Sequence, residues 1–241
     1  MFRPPMVRDF AGCVLAGGQS SRMGRDKALI ELAGKPLIKH AVVKLKRVCS
    51  EVAISSSNPQ LAAYAPLIAD RHPGCGPIGG MEAALLQSAQ EWNLFLPVDV
   101  PFLPTVYLHG WLRSMETMRL EGMRAMIFTV DGAPQPTVAL VHRDVGPRLT
   151  QAIERGEYKL LPALESAAGE VAEWSGFPAT KGLWKLPCWA EFKSSARMPA
   201  EIPEWWRITE AQRQYSAHWF DNLNTPEEFA EAERYMDVLD T

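Results

Sequence analysis

The stretch Phe10–Lys27, FAGCVLAGGQSSRMGRDK, holds the most informative pattern in the chain. Its apolar part, Ala11–Ala16, predicts a fully buried strand that ends at Gly17-Gly18. Glycines after a strand let the backbone approach a ligand and turn its N–H groups toward phosphate oxygens. Three cations follow, at Arg22, Arg25 and Lys27. We interpret the segment as a phosphate-binding loop; the alternative is a flexible surface loop with incidental charge.

Strands and helices alternate through the first two-thirds of the chain. Further apolar runs predict strands over Glu51–Ser55, Pro66–Asp70, Asn93–Asp99, Met126–Val130 and Thr137–Val141. Helical spacing predicts a helix that opens at Pro36, a second over Gly79–Trp92, and a last one capped by Thr225. This order predicts an α/β fold, a Rossmann-like three-layer sandwich with a mostly parallel central sheet and helices on both faces.

Three residues that could bind a ligand stand at predicted strand ends: Gly17, Asp70 and Asp99. Ligands of such sheets bind beyond the carboxyl ends of the strands. A carboxylate at a buried strand end is costly unless a cation compensates it, and Mg²⁺ held by Asp99 and by substrate phosphates would do so. The alternatives are a helix cap or a salt bridge for Asp99, and a ribose contact, a base contact or a pair with Arg71 for Asp70.

A rival nucleotide motif lies at Gly74–Gly79, which matches G-x-G-x-x-G and is followed about 20 residues later by Asp99. It would suit an NAD-type oxidoreductase. Pro77 counts against this, because it has no N–H to offer at the helix start where pyrophosphate needs donors. A Walker loop is excluded, since Gly34-Lys35 is followed by Pro36 rather than Ser or Thr.

The bulk composition narrows the classes further. The 241 residues carry 25 Lys+Arg against 28 Asp+Glu, a net charge of −3, so no global field attracts nucleic acid or a membrane surface. The four cysteines form no metal-binding pattern, and we expect buried or half-buried thiols in a reducing cytoplasm. We expect one domain over residues 1–241, with a Trp- and Pro-rich insertion at about 176–218 before the last helix.

With these residues in hand, the chain resembles the molybdenum cofactor guanylyltransferase family of nucleotidyltransferases. The matching motifs are LAGGQSSRMGRDK at Leu15–Lys27, D-x-x-P-G-x-G-P-I-x-G at Asp70–Gly80, PVDVPFL at Pro97–Leu103, QPTVALV at Gln135–Val141 and NLNTPEE at Asn222–Glu228. The resemblance implies transfer of GMP from GTP to the phosphate of molybdopterin, with Mg²⁺ as cofactor and pyrophosphate as product. It also implies handover of the product to molybdoenzymes or their chaperones.

The resemblance assigns roles residue by residue. It implies nucleotide contacts from Leu15, Ala16, Gly17, Lys27, Asp70 and Asp99. Gly18, Ser55 and Gly79 are further candidates for nucleotide contacts. The resemblance also implies that Asp99 holds the metal. Charge neutralisation at the phosphates gives Arg22, Lys27 and Asp99 candidate catalytic roles. Asn222 and Asn224, at the head of the last helix, are candidates for an oxygen contact; the alternative is that they cap that helix. The related cytidylyltransferases carry Ala-Ala-Gly where this chain has Ala16-Gly17-Gly18, which favours GTP.

Three positions depart from the family pattern. Val98 replaces a Cys, Ser55 replaces an Asn, and Tyr158-Lys159 replaces a basic pair that would serve the pterin phosphate. The alternatives are therefore a related transferase that uses CTP or a sugar-phosphate acceptor, and a nucleotide-binding adaptor without catalysis.

Overall fold

The computed structural model describes residues 10–17, 26–117, 121–188 and 208–239. Gly18, Arg22 and the middle of the predicted insertion lie outside the described residues. The strands are β1 Phe10–Leu15, β2 Glu31–Leu32, β3 Lys35–Pro36, β4 Glu51–Ser55, β5 Leu67–Ile68, β6 Trp92–Pro97, β7 Ala125–Val130, β8 Ala133–His142 and β9 Leu183–Pro187. The helices are α1 Leu37–Val48, α2 Pro77–Gln87, α3 Thr105–Thr117, α4 Gly146–Glu154, α5 Leu160–Trp174, α6 Glu210–Gln214 and α7 Pro226–Ala232.

Seven strands form the central sheet in the order β5-β4-β1-β6-β8-β7-β9. β1 pairs in parallel with β4 and β6, β4 with β5, and β7 with β9. β8 runs antiparallel to both β6 and β7. The predicted α/β sandwich with a mostly parallel sheet is therefore confirmed. β2 and β3 form a separate antiparallel pair.

Side chains alternate between the two faces of this sheet. Val14 and Leu94 face a core formed with α1 and α3, whereas Cys13 and Phe95 face a second core formed with α2, α4 and α5. Because successive residues of a strand point to opposite faces, β1 and β6 each contribute to both cores. Helices therefore cover both faces of the sheet and hold in place the strand ends at which the site lies.

The predicted elements are found with changed ends. The second helix begins at Pro77 and ends at Gln87, because Ser88 turns the chain through a hydrogen bond to Gln90 and Trp92 already belongs to β6. Pro36 closes β3 and precedes α1 instead of occupying its first position.

The strand predicted over Thr137–Val141 is longer than expected, since β8 begins at Ala133. The added residues include Pro134 and Pro136. Pro134 is tolerated because residues 133–135 pair only with β7, so no ladder hydrogen bond is needed on its other side. Pro136 lies in the register shift between the two paired parts of the β7–β8 ladder, where it pairs with neither neighbouring strand.

The C-terminal helix α7 forms as predicted. Thr225 accepts from the N–H of Glu228, Pro226 occupies the first position, and the Glu228 side chain accepts from the Thr225 N–H. Of the tryptophans in the last third, Trp219 is fully buried in the α1–α3 core. No helix among the described residues is long and apolar enough to span a membrane.

Candidate active site

The ends of three adjacent strands are locked together. Leu15 lies in register with Ser55 on one side and with Pro97 on the other. The Ala16 N–H donates to the Ser55 carbonyl at 3.1 Å, and the Val98 N–H donates to the Leu15 carbonyl at 3.1 Å. The segments that follow β1, β4 and β6 therefore leave the sheet side by side, as the sequence predicts.

Lys27 and Asp99 meet at this edge. The Lys27 ammonium lies 2.7 Å from Asp99 Oδ2 and 2.6 Å from Asn224 Oδ1. The Leu223 N–H donates to the Asp99 carbonyl at 3.1 Å, which fixes the segment before α7 against the end of β6. The sequence analysis names all three as candidate site residues, but it does not predict that their side chains contact one another.

A short helical turn, Lys27–Leu29, presents the lysine. Asp26 caps it by accepting from the Ala28 N–H at 2.9 Å, and its other oxygen accepts from the Asn58 amide. Asn58 follows β4, so the loop after β4 holds the turn that carries Lys27. Sequence reasoning missed Asn58, since its partner lies far along the chain.

The Asp99 carboxylate suits a magnesium ion. Its Oδ1 atom is buried and has no hydrogen-bond partner among the described residues. Such an oxygen needs a cation or water, and Mg²⁺ is often held by one carboxylate together with substrate phosphates. The described residues hold no group of three His, Cys, Asp or Glu side chains that could form a metal cage. Asp99 thus fits a metal that depends on the substrate for its other ligands.

Asp70 and Ser55 form a second polar pair on the β4–β5 side. Ser55 Oγ donates to Asp70 Oδ1 at 3.2 Å. Burial raises the pKa of Asp70, the Ser55 hydrogen bond opposes this, and the nearby Glu82 raises it further. Arg71 pairs with Glu82 at 3.0 Å, so the predicted alternative of an Asp70–Arg71 pair is wrong.

Helix α2 packs tightly over this pair. A Cβ at Gly80 would collide with Ser55 Oγ and lie 3.4 Å from Asp70 Oδ1. A Cβ at Gly79 would instead meet the His72 carbonyl at 3.2 Å and Asp70 Cγ at 3.8 Å. The sequence analysis selected Gly79; the structure places Gly80, the last glycine of the same motif, directly against Ser55.

Comparison with known proteins identifies the family. Residues 12–168 match the family model of the MobA-like NTP transferase domain. The molybdenum cofactor guanylyltransferase of Serratia proteamaculans is 35% identical over 178 residues, which cover 71% of this chain and 87% of that protein. The chain belongs to this family. The guanylyltransferase of Vibrio atlanticus is 31% identical over 169 residues, covering 68% and 85%.

Solved structures share the fold of the guanylyltransferase family member described here. Molybdopterin-guanine dinucleotide biosynthesis protein A from Archaeoglobus fulgidus superposes with a TM-score of 0.66 at 22% identity, covering 95% of this chain and 100% of that chain. A 2-C-methyl-D-erythritol 4-phosphate cytidylyltransferase from Thermus thermophilus gives 0.55 at 11% identity, covering 93% and 98%. These structures show the shared fold. The match to the family model and the sequence relatives show that the chain is a nucleotidyltransferase, and the NAD-type oxidoreductase is not supported.

The guanylyltransferase-family motifs differ here at three places that the structure locates. Val98 is buried and serves the β1–β6 connection through its N–H. Ser55 keeps a hydroxyl donor where the resemblance implies an amide. Tyr158 is half exposed, and Lys159 immediately precedes α5.

A cleft of about 360 Å³ lies on the side of α7 and adjoins Lys27 through Asn224. Asn222 and Asn224 line it, together with Phe102, Tyr215, His218, Asp221, Leu223, Glu228, Glu231, Ala232 and Tyr235. The Tyr215 ring packs on Phe102 at 4.9 Å and on Tyr235 at 4.3 Å between centroids. Burial raises the pKa of Tyr215 to about 12, so its hydroxyl stays neutral.

Proposed function

We propose that this enzyme transfers GMP from GTP to the phosphate of molybdopterin and releases pyrophosphate. The observation that carries the proposal is the Lys27–Asp99–Asn224 centre at the carboxyl edge of the sheet. The names of the sequence relatives support guanylyl transfer in particular.

The reaction needs no nucleophilic side chain. A phosphate oxygen of the acceptor is already ionised near neutral pH and attacks the α-phosphorus in line. The bond between the α-phosphorus and the bridging oxygen breaks, and pyrophosphate leaves with the electron pair. The enzyme's contribution is positioning and charge neutralisation. We assign the neutralisation to Lys27, to the N–H groups after β1, and to Arg22, which lies outside the described residues.

Asp99 is proposed to hold Mg²⁺, which when bound supplies positive charge at the phosphate oxygens. Without nucleotide, Lys27 neutralises Asp99 directly. A triphosphate gives the ammonium a stronger anionic partner, so we propose that Lys27 moves to the phosphates and leaves the carboxylate to the metal. Asn224 can stay on the lysine during this exchange, because its amide carries no charge to separate.

The base and ribose are proposed to lie on the β4–β5 side. Leu15, Ala16, Gly17 and Gly18 would line the nucleotide, with Ser55, Asp70 and Gly79 on its far side. The choice of GTP rests on Gly17: among the described residues, a Cβ there would meet only the Ser55 carbonyl, at 3.8 Å, which leaves room for a larger base beside the strand end.

Molybdopterin is proposed to enter from the opposite side. In the sheet order β4 lies on one side of β1 and β6 on the other. If the nucleoside lies over β4 and the α-phosphate near Lys27, the acceptor approaches past Asp99 from the cleft beside α7. Handover of the product to molybdoenzymes or their chaperones, and a cytoplasmic location, remain predictions.

The test is a pyrophosphate-release assay with each of the four ribonucleoside triphosphates and Mg²⁺ or EDTA, with and without molybdopterin. Release that requires GTP, Mg²⁺ and molybdopterin together supports the proposal. Release with CTP alone would favour the cytidylyl alternative. Binding of GTP without release under any condition would favour the adaptor.

A further inference from the structure

Glu82 is a fully buried carboxylate on the otherwise apolar inner face of α2. Its side chain is 0% exposed. Its neighbours along the helix, Ile78, Met81 and Leu85, belong to the second core. Its Oε1 atom accepts from Arg71 Nη1 at 3.0 Å and from the Thr150 hydroxyl at 2.6 Å. Its Oε2 atom is buried without a hydrogen-bond partner in the described part of the chain.

This arrangement is costly for stability alone. A buried carboxylate loses several kcal/mol of hydration, and its cation here, the Arg71 side chain, is 52% exposed. The His72 ring is also near, with its Nε2 atom 3.9 Å from Glu82 Oε1. An apolar side chain would fill the same position without this penalty. The contacts of Glu82 therefore indicate a task other than packing.

The partners of Glu82 show which part of the molecule it holds. Arg71 and His72 directly follow Asp70, and Thr150 belongs to α4. Glu82 thus anchors the loop after β5 to two helices. The same loop places Asp70 between Ser55 and the close approach of α2 at Gly80.

We propose that Glu82 is a positioning residue that holds Asp70 against the nucleoside of the bound nucleotide. The inference rests on the proposed nucleotide site, in which Asp70 contacts the nucleoside and Lys27 the phosphates. Glu82 acts through the loop and touches no ligand. Its loss should weaken contacts to the nucleoside and leave contacts to the phosphates unchanged.

The experiment compares two ligands by calorimetric titration of the full-length protein: GTP and inorganic triphosphate, each with Mg²⁺. For Glu82→Leu we expect about tenfold weaker binding of GTP, the equivalent of about 1.4 kcal/mol, and triphosphate binding within twofold of wild type. The thermal midpoint should be unchanged or higher, because a buried charge is replaced by an apolar side chain of similar size.

Two further variants make the test decisive. Thr150→Val removes one donor to Glu82 at constant shape and should weaken GTP alone by about two- to fivefold. Glu165→Gln removes an exposed carboxylate that pairs with Lys185 and should change neither ligand. If Glu82→Leu does not fold, the same two titrations of Thr150→Val decide.

Unchanged GTP binding in these variants would overturn the positioning role, as would equal weakening of GTP and triphosphate, which indicates a general structural effect. If wild type binds triphosphate and GTP equally, there is no nucleoside contact to position and the inference fails. Failure of the proposed function would give a different result: the wild-type protein would release no pyrophosphate in the assay with GTP, Mg²⁺ and molybdopterin.

Discussion

The Lys27 ammonium lies 2.7 Å from the Asp99 carboxylate, although 72 residues separate them. The two side chains are 15% and 21% exposed, so the pair is partly shielded from water at the rim of the sheet. Under the proposed function, Lys27 serves the triphosphate and Asp99 its metal, and the pair holds both side chains at the same edge of the sheet. The two charges neutralise each other in this structure.

Lys27→Ala should lose most of its transferase activity while folding normally. Removing a cation that meets a desolvated phosphate costs ~2–4 kcal/mol of transition-state stabilisation, a rate loss of roughly 30- to 1000-fold. The check is kcat/KM for GTP beside a thermal melt. Lys185→Ala, which removes an exposed ion-pair lysine, is the control and should keep full activity. Activity within twofold of wild type in Lys27→Ala would remove the lysine from the mechanism.

Asp99→Asn keeps the shape of the side chain and removes its charge. We expect turnover to fall about 100-fold or more and the Mg²⁺ concentration for half-maximal rate to rise. Stability should change by less than about 1 kcal/mol, because Lys27 keeps its contact with Asn224 and partial access to water. The measurement is the reaction rate as a function of Mg²⁺ concentration. The same rate and the same Mg²⁺ dependence in Asp99→Asn and wild type would show that Asp99 has only a structural role.

Asn224→Ala separates positioning of the lysine from capping of α7. Thr225 and Glu228 already form the capping box, so the melting temperature should stay within about 2 °C of wild type. The rate should fall roughly tenfold, because Lys27 loses a partner that orients its ammonium group. A fall in stability with an unchanged rate would show that Asn224 serves the helix and not the lysine.

Gly17→Ala tests base selection. The backbone has room for the methyl group, whose nearest neighbour in the described part of the chain is 3.8 Å away, so the variant should fold like wild type. The methyl group narrows the space for the larger purine, and KM for GTP should therefore rise more than KM for CTP. Equal changes for the two nucleotides would show that this position does not discriminate.

Asp70→Asn should reveal what it costs to remove part of the Asp70 carboxylate from water. Burial raises the pKa of Asp70 in the folded protein above its ordinary value of 3.8. A raised pKa means that ionisation opposes folding: the stability is present below 3.8 and is lost as pH rises through the folded-state value. The Asn variant should therefore be slightly more stable than wild type at pH 7, with the difference shrinking toward pH 3.8. Urea melts across this range measure it, and a variant less stable at pH 7 would contradict the assignment.

The sequence predicts the parallel strands around β1 well, because buried strands there are short apolar runs bounded by glycine, proline or aspartate. It does not predict that β8 runs antiparallel, since an apolar run has no direction. Gly17, Asp70 and Asp99 could be placed at one edge because topology brings carboxyl ends together.

The finer contacts of the site could not be predicted. Asn224 reaches Lys27 from 197 residues away, and the Asn58 amide reaches Asp26 across 32. Glu82 interrupts the expected apolar face of α2, and its partner Thr150 lies 68 residues on. Such pairs depend on how helices pack on the sheet, which the spacing of residues within one element does not encode.

The most direct test of the account follows the α-phosphorus itself. GTP labelled at that phosphorus is incubated with molybdopterin and Mg²⁺, using wild type, Lys27→Ala and Asp99→Asn, and the products are separated. The account predicts that wild type moves the label into a product that contains both guanosine and the pterin, with one pyrophosphate released per product, and that both variants form it far more slowly. Label that stays in GTP, or that appears only in free GMP or GDP, would contradict it.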